Sequence, residues 1–311
     1  MRIVFMGTPR FAVPSLSRLV GDGHEILAVI TRPQRPSGRG LEPTPPPVKI
    51  VADEKGLKVL QPEKVNLPEH ISELSSLRPE LIVVVAYGAI LRRPLLELPS
   101  TGCINLHASL LPKLRGVAPI NWAIIEGHRA TGVTTIWMNE KVDAGEIIQQ
   151  RYVSILPEET AGELHDRLSI IGSELLSRTI LAVKEGTAPR ITQDAALSTY
   201  APMLKKEDGV VDWGRDAEAF ADHVRGVTPW PGAQTTVKGE PVKVLKVKVR
   251  ELTSVYEPGS VVGLNEDGAV LVATGRGVVE ILSVQPAGKK SMPAVDFARG
   301  RRLQKGDRFG T

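Results

Sequence analysis

The spacing of apolar residues over the first 185 positions predicts strands that alternate with helices. Residues 2–6 and 81–85 are short apolar runs, and an unbroken β-branched run such as 81–85 suits a parallel strand buried on both faces. Residues 160–185 instead have apolar side chains at helical spacing, and Thr160 with Glu163 fits a capping box at the start of that helix. The alternation predicts an α/β domain with a mostly parallel, Rossmann-like sheet.

The pattern changes after residue 205, where short apolar segments alternate with turn residues. Residues 241–249 alternate between apolar and polar side chains, and further apolar segments follow at 259–262, 269–272 and 278–281. Short strands at such intervals predict a small β-barrel. Between the two patterns lies a stretch with the composition of a connector. We therefore predict a first domain at 1–188, a linker at 189–205 and a second domain at 206–311.

Composition narrows the class of protein. The chain has 311 residues, 42% of them hydrophobic, and a formal net charge of +4. It has one cysteine, so an internal disulfide is excluded and a reducing compartment is favoured. No apolar run reaches the roughly 18 residues of a membrane span. The chain opens directly on a predicted strand with no leader in front of it, so we expect a cytoplasmic protein.

Polar side chains stand at alternate positions near the end of a strand predicted at 101–108. Asn105, His107 and Ser109 share one face if the strand holds to its end. An asparagine can donate to a developing oxyanion, and a histidine can carry protons near neutral pH. Asp143 lies in a loop after a later predicted strand, where a carboxylate can orient the histidine.

The residue types alone leave other interpretations open. A histidine after a strand can be a hydrogen-bonded structural residue. His107, Asp143 and Glu146 could form a metal site, although no second His or Cys stands at ligand spacing. Ser109 lacks the Gly-x-Ser-x-Gly pattern of a nucleophile elbow. Gly7 lacks the companions of a Gly-x-Gly-x-x-Gly fingerprint, so a dinucleotide site is poorly supported.

Residues 32–47 are rich in proline and contain three arginines, so regular helix or central strand is not expected there. One interpretation is a long exposed surface linker. The other is an arm that binds an acidic polymer, because the planar guanidinium of arginine pairs with phosphate. Composition alone does not decide between them.

Several motifs follow one another in a fixed order along the chain. They lie at 5–9, 32–40, 85–88, 105–112, 115–116, 118–120, 143–145, 228–232 and 282–290. Each motif is weak alone. Together and at this spacing they resemble the folate-dependent formyltransferases over nearly the whole chain, and within that family the members that act on methionyl-tRNA.

The resemblance implies a Rossmann-like formyltransferase domain followed by an OB-like β-barrel domain that binds tRNA. The implied reaction transfers the formyl group of 10-formyltetrahydrofolate to the amino group of initiator methionyl-tRNA, for translation initiation and without a metal. We expect that tRNA and folate as partners, no membrane, and a monomer. Two rivals remain: a formyltransferase for a small nucleotide-type amine, and a non-catalytic tRNA-binding protein.

The resemblance also implies roles for individual residues. The expected catalytic residues are Asn105, His107 and Asp143. The expected folate contacts are Tyr87, Gly88, Leu91, Ser109, Leu110, Leu111 and Pro112. The expected tRNA contacts are Arg35 and Arg39 in the arm and Lys289 and Lys290 in the basic tail.

Overall fold

The computed structural model describes residues 1–37, 42–251, 255–264 and 269–310. Its internal contacts divide the chain into two compact units. The first unit consists of Met1–Pro119, Thr131–Ser154 and His165–Ala201, and the second of Ile120–Ala130, Ile155–Leu164 and Pro202–Thr311. Two short segments that interrupt the first unit in sequence therefore belong to the second unit. The simple sequential boundaries drawn from the sequence remain a prediction.

Strands and helices alternate through the first two thirds of the chain. They are β1 Arg2–Gly7, α1 Val13–Gly21, β2 Glu25–Ile30, β3 Arg35–Ser37, β4 Glu42–Thr44, α2 Pro47–Glu54, β5 Val59–Leu60, α3 Pro68–Ser76, β6 Leu81–Val85, α4 Arg93–Leu96, β7 Gly102–His107, β8 Arg115–Gly116, α5 Pro119–Ile125, β9 Ala130–Trp137, β10 Ile147–Ser154, α6 Ala161–Lys184 and β11 Tyr200–Ala201.

One seven-stranded sheet organises the first unit, in the order β10-β9-β7-β6-β1-β2-β5. The strands from β7 to β5 pair in parallel, and β9 pairs with β7 antiparallel. All five residues of β6 are buried, as its unbroken β-branched run predicts. The predicted mostly parallel α/β fold is confirmed. The carboxyl ends of β6 and β7 are adjacent, and ligands of such sheets collect at that edge.

The predicted capping box is present before α6. The Glu163 carboxylate accepts hydrogen bonds from the backbone N–H and the hydroxyl of Thr160, both at 2.8 Å. The backbone N–H of Glu163 donates back to the Thr160 hydroxyl at 3.3 Å. The bonds from Thr160 hold the pKa of Glu163 below its usual value. Two N–H groups at the start of this helix, those of Thr160 and Glu163, are therefore satisfied by side chains of the capping box.

The proline-rich stretch after β2 contains a short hairpin, which the sequence did not predict. β3 and β4 pair antiparallel as a separate two-stranded sheet, with Pro36 opposite Pro43. Each strand of such a pair has one free edge, and proline is tolerated there because it has no N–H to donate. Proline thus excluded a central strand but not this ribbon.

The second unit contains a mainly antiparallel sheet. Its elements after residue 202 are α7 Ala217–Gly226, β12 Ala233–Val237, β13 Glu240–Arg250, β14 Val261–Leu264, β15 Val270–Ala273, β16 Val278–Pro286, β17 Met292–Pro293 and α8 Ala294–Arg301. The strand order is β12-β13-β16-β15-β14, with β17 paired to β16. Helix α8 was not predicted, because its eight residues follow a proline and include Gly300, a weak helical pattern.

The chain end joins the two edge strands of this sheet. Phe309 forms an antiparallel bridge with Val237 of β12, and Arg308 forms one with Ser260, which precedes β14. The N–H of Phe309 also donates to the carbonyl of Gly259 at 2.8 Å. A sheet whose edges are bridged in this way is barrel-like, as the OB-like interpretation requires.

The single cysteine of the chain is buried. Cys103 lies in β7 and is 3% exposed, and burial raises the pKa of its thiol to about 12.

Among the described helices, none is long and apolar enough to cross a bilayer.

Candidate active site

Strand β7 carries the two candidate residues that the sequence placed on one face. Asn105 is paired with Val84 of β6 and Ile136 of β9, and His107 is paired with Thr134 of β9. Asn105 is partly exposed, whereas His107 is only 6% exposed. Neighbours on both sides fix the strand, so its alternation sets where these side chains lie.

Asp143 lies between β9 and β10 and closes the cluster. Its Oδ1 accepts a hydrogen bond from Asn105 Nδ2 at 3.3 Å and lies 3.5 Å from His107 Nδ1. Its Oδ2 accepts from the backbone N–H of Gly116 at 2.9 Å. The structure therefore brings Asn105, His107 and Asp143 together. Their catalytic roles remain a prediction.

The second ring nitrogen of His107 has a partner of its own. Nε2 lies 2.9 Å from the carbonyl oxygen of Leu114. A carbonyl only accepts, so Nε2 carries a hydrogen. Nδ1 faces the Asp143 carboxylate at 3.5 Å, so the two oxygens together fix the orientation of the ring.

The loops around this cluster contain unusual φ values and close approaches between backbone segments. Asp143 and Leu114 have φ values of +48° and +56°, in the left-handed region that side chains disfavour. A Cβ on Gly145 would lie 1.7 Å from the carbonyl oxygen of Trp137, and one on Gly116 would lie 2.6 Å from that of Ala201. Strain of this kind persists only where surrounding contacts compensate for it.

Two polar residues beside the cluster received no role from the sequence. Arg115 is 6% exposed, and both its Nε and Nη2 donate to Gln193 Oε1, at 3.2 and 2.7 Å. Arg115 could have been flagged because it stands in the 115–116 motif, and its burial requires an acceptor. Gln193 could not, because its other partners are backbone carbonyls that no sequence motif reveals.

Two family profiles match the chain. The profile described as Formyl transferase matches residues 1–180, and the one described as Formyl transferase, C-terminal domain, matches residues 203–302. The chain belongs to the formyl transferase family. Similar curated relatives are the methionyl-tRNA formyltransferases of Geobacter metallireducens, 48% identical over 100% of this chain and 99% of the relative, and of Bacillus subtilis, 46% identical over 99% and 98%.

Solved structures share the fold of this formyl transferase. HypX from Aquifex aeolicus in complex with tetrahydrofolic acid superposes with a TM-score of 0.65 at 18% identity, over 100% of this chain and 51% of that one. WlaRD, a sugar 3N-formyl transferase, gives 0.67 at 16% identity, over 93% and 99%. At such identities the likeness extends to the fold alone.

The expected folate segment after β7 is tightly turned in this formyl transferase. The Ser109 hydroxyl donates to the carbonyl of Lys113 at 2.6 Å, and Ser109 is fully buried. Leu111 is also buried, and the bond from it to Pro112 is cis. Leu110 and Pro112 are partly exposed. Leu110 and Pro112 are thus the members of the segment with surface available for a ligand.

The expected folate loop after β6 divides its side chains between core and surface. Tyr87 and Leu91 are 1% and 2% exposed and belong to the apolar core of the first unit. Burial raises the pKa of Tyr87, and nearby Arg32 partly opposes this. Gly88 is exposed with φ +82°, and Ile90, which was not predicted, is 63% exposed.

The expected tRNA contacts are described only in part. Lys289 and Lys290 lie in the exposed turn between β16 and β17, and within the described residues neither has an ion-pair partner. Arg35 is the first residue of β3. Arg39 lies outside the described residues.

The structure shows what surrounds the candidate metal ligands His107, Asp143 and Glu146. Glu146 forms an ion pair with Arg190 at 2.9 Å. Over the part of the chain that the structure describes, no group of three or more His, Cys, Asp or Glu side chains is arranged to hold a metal ion.

Proposed function

We propose that this chain transfers the formyl group of 10-formyltetrahydrofolate to the amino group of initiator methionyl-tRNA. The observation that carries the proposal is the Asn105–His107–Asp143 cluster, in a chain that matches methionyl-tRNA formyltransferases at 46–49% identity over its whole length. The cluster supplies hydrogen-bond donors, an imidazole ring and a carboxylate at one place.

The reaction determines what these groups must do. The amine attacks the planar formyl carbon, whose oxygen gains negative charge while the nitrogen becomes an ammonium. The site must stabilise the first and remove a proton from the second, and the folate nitrogen leaves with a proton. Preorganised donors aimed at such an oxygen are worth a few kcal/mol in rate.

Asn105 is the proposed oxyanion donor. Its side-chain amide has two hydrogens, and one is donated to Asp143 Oδ1. That bond fixes the plane of the amide and leaves the second hydrogen for the formyl oxygen. Asn105 is partly exposed, so a substrate can reach it. We propose that His107, which lies beside the same carboxylate, acts as a cation that favours the same oxyanion.

Asp143 is the proposed proton-relay residue. His107 Nε2 is held by the Leu114 carbonyl, so only Nδ1 faces the cluster. A proton taken from the ammonium then passes through the Asp143 carboxylate on its way to the folate nitrogen. We propose that His107 orients and charges the site while Asp143 handles the proton.

The binding surfaces follow from exposure. We propose that folate lies against the partly exposed Leu110 and Pro112 and the exposed Gly88, with Ser109, Leu111, Tyr87 and Leu91 shaping the loops from the core side. We propose that phosphates of tRNA contact Lys289, Lys290, Arg35 and Arg39. We further propose that the enzyme acts in the cytoplasm. We also propose that it is a monomer, and light scattering of the purified protein would test that oligomeric state.

A formylation assay with parallel acceptors tests the function. Purified protein is mixed with 10-formyltetrahydrofolate and either charged initiator methionyl-tRNA or glycinamide ribonucleotide. Formyl-methionine on the tRNA alone is the expected result. Transfer to the small amine alone would keep the chemistry and refute the tRNA substrate. Binding of tRNA without transfer would favour the non-catalytic rival.

A further inference from the structure

We propose that Gln193 is a positioning residue that fixes the Asp143 loop for formyl transfer. The proposal rests on the proposed function, because it concerns the same site. Gln193 lies in the stretch 189–205 that the sequence predicted as a linker, and that stretch up to Ala201 belongs to the first unit. A connecting segment would then supply part of the catalytic geometry.

The side-chain amide of Gln193 binds the backbone of the Asp143 loop. Its Nε2 donates to the backbone carbonyl of Asp143 at 2.9 Å and to that of Gly145 at 2.7 Å. Both hydrogens of the NH₂ group are therefore used on one short segment. The two bonds span Ala144 and set the direction of the backbone that carries the Asp143 side chain.

Arg115 determines which way round this amide lies. Its Nε and Nη2 both donate to Gln193 Oε1. An arginine has donors and no acceptor, so only the oxygen of the amide can face it. The NH₂ group must then face the carbonyls of Asp143 and Gly145. The buried guanidinium thus orients Gln193, and Gln193 orients the loop.

The loop requires such a restraint. Asp143 has φ +48°, in the left-handed region that residues other than glycine rarely adopt. Its carboxylate has to reach Asn105, His107 and the N–H of Gly116 at the same time. If the two carbonyls lost Gln193, the loop could relax toward an ordinary backbone conformation and withdraw the carboxylate. A displacement of about 1 Å in a catalytic group can cost on the order of a hundredfold in rate.

The test separates the two halves of the Gln193 amide. Gln193→Glu keeps an oxygen for Arg115 but loses both donors to the loop carbonyls. We expect kcat to fall by about 10- to 100-fold while KM for tRNA and for the formyl donor stays within about twofold. Gln149→Glu is the matched control. It adds the same charge to the first unit and keeps the oxygen that accepts from the Thr179 hydroxyl at 3.4 Å, so its kcat should be unchanged.

A second readout does not depend on activity. The N–H of Gly116 donates to Asp143 Oδ2, so its hydrogen exchange reports whether the carboxylate is in place. We expect faster exchange at Gly116 in Gln193→Glu and in Gln193→Met, and wild-type exchange in Gln149→Glu. Unchanged exchange with wild-type kcat in both Gln193 variants would overturn the proposal.

A double-mutant cycle excludes a purely structural role. If Gln193 acts through Asp143, Gln193→Glu should lower kcat by less than about twofold in an Asp143→Asn background. An equal fold-loss in both backgrounds would show that Gln193 acts independently of Asp143. If the wild-type protein formylates no methionyl-tRNA, the proposed function fails, and the Gly116 exchange experiment still decides whether Gln193 holds the loop.

Discussion

The Asp143 cluster of the first unit and the basic turn of the second unit use polar side chains in opposite ways. In the cluster, the carboxylate of Asp143 lies against side chains of β7 and the N–H of Gly116, and the ring nitrogens of His107 lie against that carboxylate and the carbonyl of Leu114. In the turn between β16 and β17, Lys289 and Lys290 are exposed and have no ion partner among the described residues.

This difference separates two kinds of contribution. A restrained, mostly buried cluster can favour a transition state because its geometry is set before the substrate arrives. Exposed ammonium groups lose hydration and rotamer freedom only on binding, so they contribute affinity that depends on salt. Changes in the cluster should therefore appear in kcat, and changes in the turn should appear in tRNA binding.

The largest effect is expected at Asn105. Asn105→Ala removes the proposed oxyanion donor, and kcat should fall by about 10²–10³ with little change in either KM. The measurement is steady-state formylation, with the melting temperature as a check on folding. Near-normal turnover in a folded variant would remove Asn105 from the mechanism. It would also contradict the expectation that changes in the restrained cluster appear in kcat.

Arg39 should show the opposite signature. Arg39→Ala removes the proposed charge-assisted phosphate contact, so the apparent affinity for methionyl-tRNA should weaken by about 10- to 100-fold while folate binding is unchanged. Filter binding of tRNA and fluorescence titration of folate would measure the two affinities. A loss of folate binding would contradict the assignment of Arg39 to an arm that binds tRNA.

A smaller effect is expected for the two lysines of the turn. Replacing Lys289 and Lys290 together by alanine should weaken tRNA binding several-fold and reduce its log–log salt slope by about 2, with kcat unchanged. The exposed Lys55 and Lys64 of the first unit, replaced together, are the matched control. If both pairs lower the slope equally, binding depends on net charge and not on this turn.

The smallest effect concerns stability in mild acid. His223 is 5% exposed, and its Nε2 donates to the Asp208 carbonyl at 2.7 Å, while Nδ1 has no partner among the described residues. Burial lowers its pKa below 6.5 and Arg215 adds to this, although Asp208 and Asp212 oppose it. The unfolded chain then takes up the proton first, so the free energy of unfolding should fall as pH drops below about 6.5.

The His223→Gln variant tests this pH dependence. A glutamine Nε2 can replace the donor to Asp208 and does not titrate. Urea unfolding at pH 5, 6 and 7 should therefore show a smaller loss of stability than in the wild type. An identical pH profile in the two proteins would assign the acid sensitivity to other groups. The kcat of the variant at neutral pH should be normal, since His223 belongs to the second unit.

The periodicity of apolar and polar residues predicted those features of the fold that depend on residues close together in sequence. The alternation along β7 placed Asn105 and His107 on one face, and the unbroken apolar run of β6 predicted a buried strand. The position of Asp143 beside Asn105 and His107 was inferred from the resemblance and from the composition of the loop that carries Asp143. Tyr87 shows the limit, because an aromatic residue in a loop after a strand can face either the ligand or the core, and here its ring is buried.

Features that depend on backbone atoms distant in sequence could not be predicted. Gln193 meets carbonyls some fifty residues earlier in the chain, and any residue could have supplied those carbonyls. The bridges from Arg308 and Phe309 to the edge strands likewise involve main-chain atoms. Side-chain patterns are visible in a sequence, whereas the direction of a distant main chain is not.

The burial of the single cysteine makes the native chain suitable for site-specific labelling. Because the thiol of Cys103 is enclosed in β7 and its pKa is about 12, almost none of it is thiolate at neutral pH. A maleimide dye should therefore react with a cysteine introduced at an exposed position and leave Cys103 unmodified. Fluorophores could then be attached to either unit of the otherwise unaltered enzyme to follow the arrival of tRNA in real time.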